Sequence, residues 1–334
     1  MLKHRRASLF HTTPWLRALQ KTYGYDAIAC STSDPDDELG NAIVLCRVRS
    51  WLTGDRLVSL PFSDHCEPLV DSREDADVLA ASLENEVRRE SLNYVEIRPL
   101  QRFDLKVELP RTTITYAFHK LDLRHNLEAI FQRLHKSSTQ RKVRRAEREG
   151  LRYSEGTSSE FLEQFYRLFE LTRRRHRLPP QPKAWFANLV NGFGSALKIR
   201  LASFDGSPVA AIMTVGYKDT LAYKYGCSDS QYNNLGSMHL LLWHAIQEAH
   251  SDGLHFLDFG RTDAGQDGLV TFKNRWGASQ SILTYSRYGN SKRSTHAFDL
   301  SATRWKAKAA KYVLSRLPPH LVSKVGQTLY RHVG

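Results

Sequence analysis

The run 220–288 constrains the fold of this chain more than any other stretch. It reads as a strand, a polar loop, a long helix, a short buried strand, a Gly/Asp-rich loop, a short helix and a final strand. Met238, Leu241, Leu242, Ala245, Ile246 and Ala249 recur at helical spacing and predict one apolar helix face packed on a sheet. A helix between two short strands implies a parallel-type crossover, while the shorter connections before it imply hairpins. Tyr232-Asn233-Asn234-Leu235-Gly236-Ser237 leads straight into that helix. The first N–H groups of a helix lack backbone partners and the macrodipole is positive there, so this junction is a candidate anion site.

The preceding chain supplies two further groups of elements. Strands are expected at 26–30, 42–48, 56–60, 94–97 and 112–118, with a turn at Asp34-Pro35-Asp36-Asp37. A helix is expected over 75–89, with Val78, Leu79, Leu83 and Val87 on one face. Residues 1–118 then make one α/β domain. Residues 119–288 make a second, from helices near 127–150, 160–174 and 183–193, a three-strand meander over 196–225, and the run described above. Residues 289–334 form a tail with nine Lys or Arg against the single acid Asp299, and Trp305, Tyr312, Val313 and Leu317 fall at roughly helical spacing. That tail is expected to be helical, and suits either an anionic membrane interface or packing on the body.

A net charge of +13 implies an anionic partner: nucleic acid, an anionic membrane or a phosphorylated substrate. The basic residues crowd at Lys136, Arg141, Lys142, Arg144, Arg145 and Arg148, and again at Arg173, Arg174, Arg175 and Arg177. The first cluster is either a solvated helix face or a phosphate-binding one. Four scattered cysteines without CxxC spacing, and histidines with no pair four residues apart, give no metal site. There is no apolar run of spanning length and no secretory leader, so a cytoplasmic location is expected, with peripheral contact at the inner membrane face as an option.

Gly236-Ser-Met-His-Leu-Leu-Leu-Trp243, Phe256-Leu-Asp-Phe-Gly-Arg261 and Phe272-Lys-Asn-Arg-Trp-Gly277 occur in that order. With Leu60-Pro-Phe-Ser-Asp-His65 and the basic run 141–150, they resemble the FemAB-like (CelD-like) branch of the GNAT N-acyltransferase superfamily. The resemblance covers about residues 10–288. It implies tandem GNAT-like domains, an α/β (α+β) fold with mixed, mostly antiparallel sheets flanked by helices, and a cleft between the domains. It also implies transfer of an acyl group to an amine. The donor is acyl-CoA as co-substrate in some members and aminoacyl-tRNA in others, and the acceptor is an anionic or lipid-linked precursor of envelope or exopolysaccharide. A catalytically inactive nucleic-acid-binding module is the alternative outside enzymology.

The resemblance also nominates residues. Gln231, Asn233, Asn234, Gly236 and Ser237 align with the loop that holds the CoA pyrophosphate, with Asn standing where that loop carries its first glycine. Lys273, beside Phe272, matches the position used near the reacting carbonyl. Asp64 and His65 follow a predicted strand, and a histidine there can take the amine proton. Tyr223 and Tyr225, expected on one side of their strand, are candidates to protonate a thiolate, with Tyr225 the preferred one. Arg141, Arg144, Arg145, Asp258 and Arg261 are candidates for substrate phosphate or carboxylate.

Overall fold

The computed structural model describes residues 2–34, 39–51, 53–289, 326 and 328–332. The expected turn beyond Asp34 and most of the basic tail lie outside the described residues. The chain divides into two compact units, 1–115 together with 283–334, and 116–282.

The first unit holds α1 (Thr13–Tyr23), β1 (Asp26–Cys30), β2 (Ile43–Val48), β3 (Arg56–Val58), α2 (Arg73–Arg89) and β4 (Tyr94–Ile97). Two long strands, β5 (Arg111–Asp122) and β11 (Ser279–Gly289), each have one end here. β1, β2 and β3 pair antiparallel, β3 and β4 run parallel, and the end of β11 pairs antiparallel with β4. α2 starts where Ser72 accepts a bond from the Asp75 N–H; Glu74 and Asp75 occupy its first turn and Arg88 and Arg89 its last, as the macrodipole favours. Its buried face is Ala76, Leu79, Ala80, Leu83 and Val87, packed with Ile43, Leu45, Leu57 and Ile97. Val78, expected on that face, is 58% exposed. The stripe is set by Ala76 and Ala80, whose small side chains let the helix approach the sheet.

The second unit adds α3 (Leu127–Arg133), α4 (Arg141–Arg148), β6 (Arg152–Gly156), α5 (Ser159–Arg175), α6 (Lys183–Phe193), β7 (Leu197–Phe204), β8 (Ser207–Tyr217), β9 (Thr220–Ser228), α7 (Ser237–Ser251), β10 (Phe256–Thr262) and α8 (Asp267–Asn274). The strand order is β5-β10-β9-β8-β7-β6, antiparallel except for β9 with β10. α7 buries Leu241, Leu242, Ala245, Ile246 and Ala249 against Leu257, Phe259, Ile212 and Trp276, with Val143 and Ala146 of α4 in the same core. A second aromatic layer joins Phe165, Phe169, Phe186 and Tyr225. The resulting mixed, mostly antiparallel α/β arrangement is the fold class expected from the residues.

One expectation about β9 is corrected. Met213 pairs with Tyr225 but Thr214 pairs with Tyr223, so Lys224 is an extra residue in the ladder. Such a bulge shifts the alternation by one. Tyr223 therefore meets Phe259, while Tyr225 turns toward Phe186 and accepts a bond from Trp185 Nε1 at 2.7 Å. The two tyrosines do not share a side.

Candidate transferase site

The parallel ladder between β9 and β10 consists of only three residue pairs, ending at Ala222 and Asp258. Both strands then leave regular pairing: β9 bulges at Lys224, and the register of β10 against β5 shifts between Asp258 and Arg261. The β10 bulge is built locally. Asp258 accepts a 2.6 Å bond from the Gly260 N–H, and Gly260 sits at φ +69°, which glycine adopts at little cost. Two carbonyls are thereby turned toward α8, and Lys273 Nζ donates to both, at 2.9 Å to Gly260 and 3.0 Å to Arg261. Lys273 is 2% exposed. Its ammonium thus latches α8 to the bulge and brings a buried positive charge to the place where the two strands part.

Around this latch lie residues that periodicity did not nominate. His119 on β5 is buried, and its Nε2 is 3.1 Å from Asn274 Oδ1. Asn274 donates its amide to Gln280, so its oxygen faces His119, which donates from Nε2. Burial, and then the Lys273 charge, lower the His119 pKa. His239 stacks on Trp276 and meets Phe272 edge-on; burial, then Lys142 and Arg275, push it down to about 3. His119 Nδ1, Ser237 Oγ, Thr262 Oγ1 and Trp276 Nε1 are buried without a hydrogen-bond partner among the described residues. Each such atom costs about 1–3 kcal/mol, so four on neighbouring elements mark a place suited to a ligand's polar groups. Only Trp276 and Ser237 stood in sequence motifs; nothing in the alternation of β5 distinguishes His119 from an ordinary core histidine.

The loop before α7 differs from an open phosphate cradle. Ser230–Leu235 is a 3-10 turn whose Gln231 N–H already donates to the Asp229 carboxylate at 3.0 Å. Leu235, Gly236 and Ser237 are buried, whereas Gln231, Asn233 and Asn234 are exposed. Asn233 Oδ1 accepts from Ser228 Oγ. Gly236 has φ +84°, and a Cβ there would lie 2.5 Å from the Lys142 carbonyl oxygen. Glycine is required at this position because α4 lies directly on the start of α7. The segment leading into α4 is anchored as well, since His135 N–H and Thr139 Oγ1 both donate to the Arg275 carbonyl.

Basic residues of two helices lie near this loop. α4 places Lys142 against Gly236; among its arginines, Arg144 lies over Phe131 and Arg145 pairs with Glu149. From α5, Arg175 donates to the carbonyl of Ser228, the residue where β9 ends. Asp258, Arg261, Phe272 and Lys273 are gathered at the β10–α8 junction, where Arg261 lies over the Tyr116 ring at 4.3 Å. Tyr225 stands apart, in the α5–α6 aromatic layer. Asp64 and His65 belong to the first unit. There Leu60 and Phe62 take positive φ, Arg98 donates to the Leu60 carbonyl, and Tyr285 donates to the Asp64 carbonyl at 2.6 Å. His65 is buried edge-on against Phe10.

Residues 133–274 match the family model described as an acetyltransferase (GNAT) domain. This part of the chain is accordingly a domain of the GNAT acyltransferase class. In fold, the chain is similar to the crystal structure of FemX, on which it superposes with a TM-score of 0.68 at 15% identity, over 86% of this chain and 94% of that one. Two further similar structures are the C-terminal (DUF2156) domain of a provisionally assigned lysylphosphatidylglycerol synthetase from Agrobacterium fabrum (TM-score 0.58, 12% identity, 83% and 88% coverage) and L-PGS from Bacillus licheniformis (0.53, 14%, 92% and 98%). No curated protein matches the sequence. Among the described residues no helix is long and apolar enough to cross a membrane, and no group of three or more His, Cys, Asp or Glu could hold a metal ion.

Proposed function

We propose that this chain is an aminoacyltransferase that takes an aminoacyl ester from tRNA and passes it to an amino group of an envelope-type precursor. The observation that carries this reading is the state of the loop before α7. A carboxylate, that of Asp229, already accepts from a loop N–H, and the α4 backbone lies against Gly236. Both features disfavour a CoA pyrophosphate there, while Lys142 lies at Gly236 and Arg175 reaches the Ser228 carbonyl at the start of the loop. A polyphosphate backbone engages such basic residues by charge without entering the loop. The structural likeness to FemX and to a lysylphosphatidylglycerol synthetase domain accords with aminoacyl rather than acetyl transfer. Acyl-CoA remains the second reading, on the strength of the GNAT domain match over 133–274.

In the proposed reaction the acceptor amine, in its neutral form, attacks the ester carbonyl, and the tRNA ribose oxygen departs with a proton. The buried Lys273 charge at the parting of β9 and β10 favours the developing oxyanion electrostatically. Lys273 also holds the bulge that shapes this end of the sheet. Arg141, Arg144 and Arg145 position the donor. The lipid-linked acceptor and a cytoplasmic site of action belong to the same proposal.

Filter binding of tRNA across a salt series tests it. Each phosphate contact contributes about 0.9 (duplex) or 0.7 (single strand) to the slope of log K against log salt. Changing Arg141, Arg144 and Arg145 together to Gln should flatten that slope by about two to three. An unchanged slope removes α4 from the donor site.

A further inference from the structure

The bulge in β10 has one residue facing it across the ladder. Asp258 pairs with Lys120 and Arg261 with Phe118, so Phe259 and Gly260 together oppose His119. His119 is 0% exposed, whereas Asn274, its partner on α8, is exposed. The imidazole thus stands between the end of α8 and the bulge.

Three contacts close a triangle at this point. β5 meets β10 along the ladder that the bulge interrupts. β10 meets α8 through Lys273 Nζ, which donates to the Gly260 carbonyl at 2.9 Å and to the Arg261 carbonyl at 3.0 Å. α8 meets β5 through His119 Nε2, which donates to Asn274 Oδ1 at 3.1 Å. Lys273 and Asn274 are consecutive at the end of α8, so the third contact limits how far the second can move. α8 has few other holds. It is eight residues long, too short to be stable by itself, and Lys273 is its one buried residue. Phe272 is half-buried, against His239 and Trp276. The chain of bonds continues to β11, because the Asn274 amide donates to Gln280 Oε1 at 3.3 Å.

The chemistry of the imidazole fits this placement. Burial, and then the Lys273 charge, keep it neutral, so it has one N–H, at Nε2, and a buried acceptor without a partner at Nδ1. A phenylalanine would fill much the same space without stranding that acceptor. What the histidine adds is the bond to Asn274.

We propose that His119 is a positioning residue for Lys273: its Nε2–H fixes the end of α8 across the β10 bulge and so sets where the Lys273 ammonium stands. His119 itself touches neither donor nor acceptor. Its effect on the reaction rests on the proposed part of the Lys273 charge at the ester carbonyl, but the placement of the ammonium can be read without any transfer.

Two measurements on the full chain test it. Heteronuclear NMR follows the Lys273 ammonium protons, whose exchange with water is slowed by burial and by the two carbonyls; loss of the signal in Lys273→Met assigns it. His119→Phe should speed that exchange about tenfold, as one lost hydrogen bond makes local opening easier. His119→Gln, whose amide N–H can take the place of Nε2–H, should return it to within about twofold of the parent. In aminoacyl transfer from charged tRNA, His119→Phe should lower kcat about tenfold with KM for the tRNA nearly unchanged, and His119→Gln should recover kcat. If His119→Phe does not fold, Asn274→Leu removes the same bond at an exposed residue and carries the same expectations. Parental exchange of the Lys273 protons in a folded variant lacking this bond overturns the proposal, and so does faster exchange with kcat unchanged. Faster exchange in a chain whose parent transfers nothing from tRNA supports the positioning and removes the donor reading instead.

Discussion

Replacing Gly236 by alanine tests the packing on which the reading of the donor site depends. The residue has φ +84°, where an L side chain costs about 1–2 kcal/mol. The added methyl carbon would stand 2.5 Å from the Lys142 carbonyl oxygen and 3.2 Å from its carbon, both backbone atoms. Relief requires α4 or the start of α7 to move by roughly an ångström, and overpacking of this kind costs about 1–3 kcal/mol. Gly236→Ala should therefore destabilise the second unit by roughly 2–5 kcal/mol. It should also loosen α4, whose Val143 and Ala146 lie in the shared core. Two units need not unfold together, so hydrogen exchange resolved to residues 141–148 is a better readout than a single melting midpoint. Faster exchange in α4, with the first unit unchanged, is the expected result. A variant within 0.5 kcal/mol of the parent, with α4 equally protected, would show that α4 does not rest on Gly236.

Other perturbations follow from the same geometry. Lys273→Met strands two buried carbonyls and should cost about 2–4 kcal/mol, measured by urea unfolding of the second unit; little change in stability would leave the lysine free for chemistry alone. Arg200, buried against Glu155, Glu248 and Tyr153, should cost about 1–3 kcal/mol when replaced by Met, less than for a fully buried pair because both carboxylates are partly exposed and keep Lys198. His239 is held neutral, its pKa depressed from 6.5 to about 3, so its contribution is intact above pH 6.5 and is lost as pH falls toward 3, at up to about 1.4 kcal/mol per unit. His239→Phe should flatten that part of the acid limb; His11, pushed down to about 4 by burial, keeps a slope of the same sign in the first unit. Glu96 is opposed by burial but held at about 2 by Arg98 and Arg287, so Glu96→Gln should remove a stability loss that otherwise sets in below pH 4.5.

Much of the fold was legible because its signals are long. The apolar stripe of α7 could be read from spacing, and Leu241, Leu242, Ala245, Ile246 and Ala249 are buried as expected; Met238 is only partly buried, and His239, Leu240 and Trp243 are buried beyond the stripe because other elements cover more than one side of the helix. The aligned Gly236 and the Phe272–Gly277 run were legible for a related reason, since backbone contact and a buried Trp276 allow few residue types. Signals that depend on one extra residue were not legible. The bulge at Lys224 reverses the side of Tyr223 relative to Tyr225, and nothing in the local sequence announces it. Lys273 reads as a surface lysine on a short helix, because the carbonyls that bury it are turned inward by a bulge on another element. His119 went unnoticed for the same reason: its partners Asn274 and Lys273 lie more than 150 residues away. Asp64 and His65 sit in a turn whose positive-φ residues Leu60 and Phe62 carry no glycine to advertise it.

The identity of the donor is decided most directly by calorimetric titration of the full chain, at one fixed salt concentration, with charged tRNA, uncharged tRNA, acetyl-CoA and a long-chain acyl-CoA. The account predicts saturable binding of both tRNAs, tighter for the charged form, and no saturable heat from either CoA ester. Tight acyl-CoA binding with no response to tRNA would contradict it, and would return the loop 229–236 to the role of a pyrophosphate cradle.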